Sequence, residues 1–489
     1  MAVKSINEIG IEKKHRPIKV IQFGEGNFLR AFADYMIDIL NEETDFDGGI
    51  AIVKPIEHGT LEVFDRQDCL YTVYLRGLEN GKEVIRKRVV TSVEKTIDCY
   101  RDYESFAETA RLPELRFVIS NTTEAGIVLD ESDTFEMNPP KSYPAKLTKL
   151  LYERFKHFNG ANDKGLIILP VELIDNNGKE LLRCVKALTE RWALGSEFSA
   201  WLDNACVFTD TLVDRIVTGY PRDEAEQIFE EFGYEDRLLV TGEPFALWVI
   251  ESQKDISNEL PFEKAGLPVI FTNDHKPYKQ RKVRILNGAH TSFVLASYLA
   301  GNDFVGQSMD DETMFRFMKE TVFDEVIPTL TLPKKDLEDF ANAVIDRFKN
   351  PFIKHSLLAI SLNSVSKWKA RCMPSFIGYI EKTGKIPSHL AFSLASLIAF
   401  YNGSEIKDGV LAGSRNGEEY PIKDDLAVLE FFAEKSKLPE KELAKAVLEN
   451  TSFWGQNLAL YDGVSEKITE YLSDIRNLGM RKALEKNFG

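Results

Sequence analysis

A lysine, an asparagine and a histidine stand within nine residues in the segment Lys282-Val-Arg-Ile-Leu-Asn287-Gly-Ala-His290. A lysine whose pKa is lowered by burial or by neighbouring cations can accept a proton from an alcohol or return it to a ketone. Arg281 and Arg284 flank Lys282 and would lower its pKa. At helical spacing Asn287 and His290 lie about 60° apart around the axis, so one face could offer an amide to a developing alkoxide beside an imidazole. The trio could therefore catalyse proton transfer without a metal, although a solvated lysine at a helix start is the alternative interpretation.

A glycine-rich loop, Phe23-Gly24-Glu-Gly26-Asn-Phe-Leu-Arg30, follows the first predicted strand and precedes a predicted helix. Closely spaced glycines in this position let backbone N–H groups approach the pyrophosphate of a dinucleotide. The third glycine of the usual pattern is replaced by Leu29, so an ordinary strand-to-helix turn remains the alternative. Arg30 could add a cation near the phosphates or simply face solvent. The residues predicted to contact the coenzyme here are Phe23, Gly24, Gly26, Asn27, Phe28 and Arg30.

The residues that would contact the rest of the coenzyme are less regular. An acidic residue commonly follows the second strand and binds the ribose hydroxyls of NAD, whereas here Lys54 follows and Glu57 comes three residues later. Lys54 would accommodate a 2′-phosphate and Glu57 a hydroxyl, so these residues leave NAD and NADP open. A later loop, 120–126, follows another predicted strand at the sheet edge where such folds bind ligands. Its predicted coenzyme contacts are Asn121, Thr122 and Glu124, with a polar Asx-type turn as the alternative.

The two parts of the chain differ in their patterning. The first alternates short β-rich runs with helical stretches, which predicts a mostly parallel sheet covered by helices. After Lys282 amphipathic helical periodicity dominates, and the turn-rich stretch 273–279 marks the boundary. The predicted strands are 18–23, 49–53, 115–120, 165–170, 205–208 and 267–271. The predicted helices are 29–40, 310–323, 337–348, 390–400, 424–434 and 440–448.

Composition limits the class of protein. A chain of 489 residues, 44% of them hydrophobic, can bury large cores. The net charge of −16 argues against nucleic acid or an anionic membrane as a partner, so an anionic substrate would need local basic residues. The five cysteines and seven histidines are scattered, which indicates neither a disulfide framework nor a zinc site. The first 17 residues are polar, and the longest uncharged stretch runs only from His389 up to Glu405, so we expect a cytoplasmic protein without a membrane segment.

Three segments together resemble the polyol-specific long-chain dehydrogenase/reductase family, which includes mannitol dehydrogenase. They are the Lys-x4-Asn-x2-His motif of the opening segment, Phe-Thr-Asp-Thr-Leu-Val-Asp-Arg-Ile at 208–216, and Gly-Glu-Pro-Phe-Ala-Leu-Trp-Val-Ile-Glu at 242–251. The resemblance covers roughly 17–472. It implies a metal-independent, NAD-dependent enzyme with an α/β Rossmann-type NAD-binding domain, 1–275, and a mostly α-helical substrate-binding and catalytic domain, 276–489.

Two further segments look like the tagaturonate reductase branch of this family: 24–32, Gly-Glu-Gly-Asn-Phe-Leu-Arg-Ala-Phe, and 172–178, Glu-Leu-Ile-Asp-Asn-Asn-Gly. The branch implies interconversion of D-tagaturonate and D-altronate by hydride transfer, in hexuronate breakdown. The alternatives within the family are a fructuronate reductase and a mannitol-type polyol dehydrogenase. The alternative of a different class is a non-catalytic protein that senses NAD(H).

The resemblance also implies roles for individual residues. Lys282 would be the acid/base, Asn287 the oxyanion donor and His290 the group that orients the substrate or the lysine, while Asp214 would lie near Lys282 and tune it. The family's second oxyanion asparagine corresponds to Leu173 here, so Asn177 is the substitute that we predict.

The substrate-binding residues of the family match less completely. Lys367 matches a substrate-binding lysine, but the arginine that the family has eight residues earlier is Ala359 here. We therefore predict that Lys354, His355 or Asn363 meets the carboxylate of a sugar acid.

Overall fold

The computed structural model describes residues 4–123 and 125–489. Its chain divides into two compact units. One consists of Met1–Gly77 and Glu83–His275, and the other of Leu78–Lys82 and Lys276–Gly489. Glu124, one of the predicted coenzyme contacts, lies outside the described residues. Across the described ranges, no helix is both long enough and apolar enough to cross a membrane.

The first unit is built around a six-stranded parallel sheet. Numbered along the chain, its strands stand in the order 3-2-1-4-5-6, which is the doubly wound order of dinucleotide-binding folds. In sheet order they are Val93–Ile97, Gly49–Val53, Ile18–Phe23, Phe117–Ser120, Ile167–Pro170 and Val207–Phe208. The order reverses between Ile18–Phe23 and Phe117–Ser120, and folds of this kind bind ligands beyond the carboxyl ends of those strands.

Hydrophobic cores cover both faces of this sheet. Val20 and Ile52 belong to one core, whereas Ile21 and Val53 belong to the other, because successive side chains of a strand point to opposite faces. Every residue of Gly49–Val53 is buried, as expected for a strand covered on both sides. The helices of the unit include Asn27–Leu29 continued by Arg30–Asp34 and Tyr35–Glu43, then Glu62–Arg66, Tyr103–Thr109, Tyr143–His157, Asn177–Arg191, Ser196–Asn204 and Ala225–Phe232.

Two smaller sheets, together with the short parallel pair Lys4–Ser5 and Tyr234–Glu235, complete the strands of this unit. One is three-stranded, with Asp210–Asp214, Leu247–Glu251 and Val269–Thr272. The other joins Val217–Gly219 and Val240–Gly242 to the hairpin formed by Tyr71–Glu79 and Lys82–Val90. The tip of that hairpin, Leu78–Lys82, groups with the second unit.

The second unit is mostly helical. Ser388–Phe400 is buried along nearly its whole length and packs against Gly288–Leu299 and Val464–Leu478. A small three-stranded antiparallel sheet is added to the helices, with the strands Ile406–Lys407, Val410–Arg415 and Glu418–Ile422. The other helices are Lys276–Arg281, Lys282–Asn287, Val305–Asp310, Glu312–Glu320, Thr321–Val326, Lys334–Phe348, Leu357–Ile360, Ser364–Arg371, Met373–Thr383, Leu426–Lys435, Glu440–Leu448, Thr451–Trp454 and Met480–Phe488. The predicted fold class, an α/β unit followed by a mostly helical one, is confirmed.

Candidate active site

The glycine loop lies at the point where the strand order reverses. Gly24 has a φ of 122°, a conformation that favours glycine, and its N–H donates to Val53 O at 3.0 Å. A Cβ at Gly24 would lie 3.0 Å from Asn121 O, so the loop packs tightly against the end of the neighbouring strand. Gly26 is different, because a Cβ there would meet no atom within 4 Å. Gly26 precedes the helix that starts at Asn27, and no side chain caps that helix, so its first N–H groups fit a pyrophosphate.

Three side chains of the predicted coenzyme loop have other partners. Phe23 is fully buried and packs against Tyr143, with ring centroids 4.8 Å apart. Phe28 is partly exposed and stacks on Phe32 at 4.9 Å. Asn27 accepts a hydrogen bond at Oδ1 from Arg30 Nη2 at 2.6 Å. Any contact of Phe23 with a coenzyme would therefore have to come from its backbone.

Arg30 is turned into the interior rather than toward the loop opening. Its guanidinium donates to Leu238 O and lies over the ring of Tyr71, 5.4 Å from the centroid. Burial lowers the pKa of Arg30, although the charges of Tyr71 and Asp236 oppose this. The predicted phosphate contact of this side chain is not supported, because the guanidinium is buried and its two terminal nitrogens bond to Leu238 O and Asn27 Oδ1.

Lys54 also needs a correction. It is 1% exposed, its Nζ lies 2.7 Å from Asp98 Oδ2, and it donates to Glu57 O and Gly59 O, each at 3.1 Å. A buried ammonium in an ion pair has its charge neutralised and its donors used. Lys54 therefore holds the turn after the second strand and is not available to a 2′-phosphate.

A buried carboxylate organises the loop that contains Asn121 and Thr122. Glu172 accepts hydrogen bonds from Ser120 Oγ at 3.1 Å and from Thr122 N and Oγ1 at 3.0 Å each. Burial raises the pKa of Glu172, although these hydrogen bonds oppose the rise. Asn121 and Thr122 remain partly exposed and can contact a ligand. The role of Glu172 in holding this loop was not predicted from the sequence. The position of Glu172 just after a buried strand is the feature that could have indicated it.

Asn177 does not fit its predicted role as an oxyanion or substrate contact. It is fully buried, and its Nδ2 donates to Pro170 O and Glu172 O at 3.0 and 3.1 Å. Its Oδ1 accepts from Gly178 N and Thr211 N, each at 2.9 Å. The Asn177 amide therefore uses its hydrogen-bonding groups within the protein. The prediction that it contacts the substrate or its oxyanion is wrong.

Two other predicted positions lie in the first unit. Leu173 is 62% exposed, an unusual state for a leucine, in the loop after the strand Ile167–Pro170. Asp214 is buried at the end of the strand Asp210–Asp214, where it pairs with Leu247. Lys282 belongs to the second unit, so the tuning of Lys282 by Asp214 stays a prediction.

The predicted catalytic motif, Lys282 to His290, lies on a helix that is locally π-helical. Lys276–Arg281 continues without a break into the π-helical segment Lys282–Asn287 and then into Gly288–Leu299. Residues five apart on an α-helix are about 140° apart around the axis, which would separate Lys282 from Asn287. In a π-helical turn the hydrogen bond joins residues five apart, as Gly288 N does with Val283 O. Lys282 and Asn287 therefore share one face.

His290, one turn further along, has an unsatisfied ring nitrogen. Its ring stacks on Phe348 at 4.1 Å and meets His355 edge-on at 5.2 Å. Its Nε2 is buried and has no hydrogen-bond partner among the residues that the structure describes. Burial lowers the pKa of His290 well below its ordinary value, and the charges of His355, Arg347, Arg371 and Lys367 lower it further. The ring is therefore neutral near pH 7 and can exchange a hydrogen bond with a substrate hydroxyl.

The predicted substrate residues of the second unit divide into two groups. His355 contacts His290, and Lys367, whose Nζ donates to Ile360 O at 2.9 Å, is close enough to lower the pKa of His290. Lys354 and Asn363 are exposed, and Asn363 adopts a φ of 54° at the start of the helix Ser364–Arg371. The structure thus brings His355 and Lys367 close to His290 and leaves Lys354 and Asn363 at the surface.

One group in the first unit has the ligand atoms of a metal site. Single ligand atoms of Asp210, Glu251 and His275 all lie within 4.8 Å of one another. The Lys179 ammonium is 2.6 Å from Asp210 Oδ2 and 3.1 Å from Glu251 Oε1, and His275 Nδ1 is 2.6 Å from Glu251 Oε2. Lys179 therefore already contacts both carboxylates, and the four side chains form an ion-pair and hydrogen-bond network.

Comparisons with known proteins agree with this architecture. The model of the mannitol dehydrogenase Rossmann domain matches residues 18–264, and that of the mannitol dehydrogenase C-terminal domain matches residues 274–476. Altronate oxidoreductase of Yersinia enterocolitica is 45% identical over 489 residues, 99% of each chain. Altronate oxidoreductase of Enterobacter sp. is 47% identical over 477 residues, 96% of this chain and 97% of the relative.

Solved structures of low sequence identity share the fold. Substrate-free D-sorbitol dehydrogenase superimposes with a TM-score of 0.76 at 23% identity, covering 96% of this chain and 95% of that one. The ternary complex of Pseudomonas fluorescens mannitol 2-dehydrogenase with NAD and D-mannitol gives a TM-score of 0.62 at 21% identity, covering 99% and 95%. Together with the two matched family models and the full-length relatives, these likenesses lead to one assignment. The chain belongs to the mannitol dehydrogenase family.

Proposed function

We propose that this protein is an NAD-dependent oxidoreductase that interconverts D-tagaturonate and D-altronate. The observation that carries the proposal is the buried, neutral and unsatisfied His290 Nε2 on the helix that also presents Lys282 and Asn287. A buried polar atom without a partner costs free energy, and a substrate hydroxyl would supply that partner. The full-length relatives named altronate oxidoreductase support the choice of substrate.

The proposal assigns the coenzyme to domain 1–275. The open space at Gly26, the uncapped helix start behind it and the partly exposed Asn121 and Thr122 fit a dinucleotide. Because Lys54 is neutralised by Asp98, it offers no cation to a 2′-phosphate, which favours NAD over NADP. When bound, the coenzyme supplies or accepts the hydride.

The proton is handled by domain 276–489. In the direction of reduction, the Lys282 ammonium donates a proton to the ketone oxygen as the carbon is reduced, and the Asn287 amide donates a hydrogen bond to the same oxygen. His290 holds a neighbouring hydroxyl and so fixes the orientation of the sugar acid. In the reverse direction the neutral Lys282 amine accepts the proton of the altronate hydroxyl. No step of this scheme requires a metal ion.

The remaining parts of the proposal concern partners and location. The net charge of −16 disfavours nucleic acid and anionic membranes as partners, so we propose a small sugar acid as the ligand besides the coenzyme. All five cysteines are free and buried. Free thiols are typical of reducing compartments, which supports a cytoplasmic location.

The test is the consumption of NADH by the purified protein in the presence of EDTA, with D-tagaturonate, D-fructuronate and D-fructose compared. Preference for tagaturonate is the expected result, and activity that EDTA abolishes would contradict the metal-free scheme. Preference for fructuronate or fructose would assign the protein to another branch of the family. Binding of NADH by calorimetry without turnover of any of the three would indicate a sensor.

A further inference from the structure

Four basic side chains gather at the first turn of the helix Gly288–Leu299, and together they form what we call the basic cluster: His290, His355, Lys367 and Arg371. His290 and His355 are in ring contact, and Arg371 Nη1 donates to Thr291 Oγ1 at 3.3 Å. Thr291 Oγ1 in turn donates to Asn287 O at 3.0 Å. The guanidinium of Arg371 is thus linked through one hydroxyl to the backbone of the proposed oxyanion donor.

No carboxylate forms an ion pair with any member of the basic cluster within residues 4–123 and 125–489. Asp424 raises the pKa of Lys367, but its own oxygens accept from Tyr401 Oη and Val365 N. Burial lowers the pKa of both Lys367 and Arg371. Partly buried cations that form no direct ion pair are costly, so the cluster is suited to bind an anion.

The spacing of Lys367 and Arg371 strengthens this conclusion. They are four residues apart on the helix Ser364–Arg371, where side chains are neighbours and two like charges destabilise the helix. The charge of Arg371 accordingly lowers the pKa of Lys367, second only to burial. An anion bound by both would convert this repulsion into two charge-assisted hydrogen bonds.

The backbone holds Arg371 in place. A Cβ at Gly288 would lie 3.3 Å from Arg371 O, and Cys372 Sγ is 3.6 Å from Gly288 O. The end of one helix is therefore packed against the start of the other, and the glycine permits the approach. A cation positioned by packed backbone loses little entropy when it binds its ligand.

We propose that Arg371, with Lys367 beside it, binds the carboxylate of the substrate and thereby makes the site select a sugar acid over the neutral sugar. The proposal rests on the proposed function, since it assumes a ketouronate as the substrate. The planar guanidinium fork suits a carboxylate, and the carboxylate stands at the opposite end of a ketouronate from the ketone that Lys282 would protonate. Arg371 replaces Lys354 and Asn363 as the carboxylate ligand, since those two side chains are exposed.

The test compares Arg371→Met with Lys369→Met, which removes a positive charge from the same helix outside the basic cluster. For Arg371→Met we expect kcat/KM for tagaturonate to fall about 10²-fold, as for the loss of a charge-assisted hydrogen bond. Most of the fall should appear in KM, because the contact is remote from the reacting carbon. Activity with fructose should fall much less than activity with tagaturonate, and the Kd of NADH should be unchanged. Lys369→Met should behave as the wild type with both substrates.

The outcomes separate the two proposals. A wild type that does not prefer tagaturonate over fructose refutes the proposed function, and this inference with it. If the wild type prefers tagaturonate but Arg371→Met keeps that preference, only the inference is overturned. It is also overturned if the variant loses both activities equally, which would indicate a structural role, or if the Kd of NADH rises, which would indicate a coenzyme contact. Lys367→Met, expected to shift the preference in the same direction, decides the question if Arg371→Met does not fold.

Discussion

Lys282 is the group that moves the proton in the proposed reaction, so its removal should separate chemistry from binding. We expect Lys282→Ala to lower kcat for tagaturonate reduction by about 10²- to 10⁴-fold, the range typical of general acid catalysis. The Kd of NADH should stay near the wild-type value, since the coenzyme is assigned to the other domain. Steady-state kinetics and a fluorescence titration with NADH measure the two quantities. Near-normal kcat in this variant would show that another group carries the proton.

Gly26 is a glycine that the fold itself does not require. Its φ is −68° and a Cβ would meet nothing within 4 Å, so Gly26→Ala should leave the midpoint of thermal unfolding nearly unchanged. A pyrophosphate that approaches the helix start would meet the added methyl group. We expect the Kd of NADH to rise by at least about tenfold, which is 1.4 kcal/mol. Gly306→Ala, also in open space, is the matched control, and equal Kd values for the two variants would exclude the glycine loop as the phosphate site.

The sequence identified the site residues that a short motif contains and missed those that only folding brings together. Asn287 and His290 are three residues apart, so helical spacing alone predicts a shared face for these two. Lys282 joins that face only through the π-helical turn, which the spacing did not reveal. Arg371 was given no role in the site from the sequence, because its partner Thr291 is 80 residues away. Lys54 looked like a phosphate ligand for the same reason, since nothing near it in the sequence shows that Asp98 would neutralise it.

At the level of elements, close packing of the helix Asn177–Arg191 depends on Gly178. A Cβ there would lie 2.0 Å from Thr209 O, a backbone atom that cannot move aside alone. Gly178→Ala should therefore lower the free energy of unfolding by about 3 kcal/mol, although alanine is the better helix former. The same change at Gly306, in the helix Val305–Asp310, should be neutral or stabilise by up to about 1 kcal/mol. Denaturant unfolding of both variants checks this. Equal stabilities would show that the backbone at Thr209 can move away from the added methyl group at little cost in free energy.

The periodicity of the sequence predicted regular elements well and irregular ones poorly. The strands Ile18–Phe23 and Gly49–Val53 and the helix Glu440–Leu448 have the bounds that were predicted, because their apolar patterns end at polar residues or turns. The strand Lys82–Val90 was not predicted, since most of its side chains are charged or exposed and lack a hydrophobic alternation. The π-helical segment Lys282–Asn287 was also missed, because one extra residue in a turn leaves hydrophobic periodicity almost unchanged.

For the whole molecule, the net charge of −16 opposes both proposed ligands, which are anions. At physiological ionic strength charges are screened beyond about 8 Å, so short-range groups decide binding. The uncapped helix start at Gly26 in one unit and the basic cluster in the other provide this local attraction. The composition therefore argued against an extended basic surface, but it could not reveal where the cations of the basic cluster lie.

The pH dependence of stability sums the contributions of all groups whose pKa changes on folding, so it belongs to the whole chain. His389 contributes a part of it that can be measured separately. Its Nδ1 lies 2.9 Å from Glu325 Oε1 and its Nε2 3.0 Å from Glu320 Oε2. Burial lowers the pKa of His389, but the hydrogen bonds and charges of Glu325 and Glu320 outweigh burial and raise it above its usual 6.5. A raised pKa means that the folded state binds the proton more tightly. The stabilisation is thus complete below about pH 6.5 and is lost as the pH rises through the folded-state pKa.

We expect His389→Gln to lower the free energy of unfolding by about 2 kcal/mol at pH 6, as for the loss of charged hydrogen bonds. The difference from the wild type should shrink toward pH 9, because the wild-type imidazole loses its proton as the pH rises through its raised folded-state pKa. His15, which is exposed and pairs with Glu94 at 3.0 Å, supplies the control, and His15→Gln should change stability by less than about 0.5 kcal/mol at either pH. Denaturant titrations at both pH values measure these differences. A loss for His389→Gln that is equal at pH 6 and pH 9 would mean that packing around the ring, and not its proton, stabilises the unit.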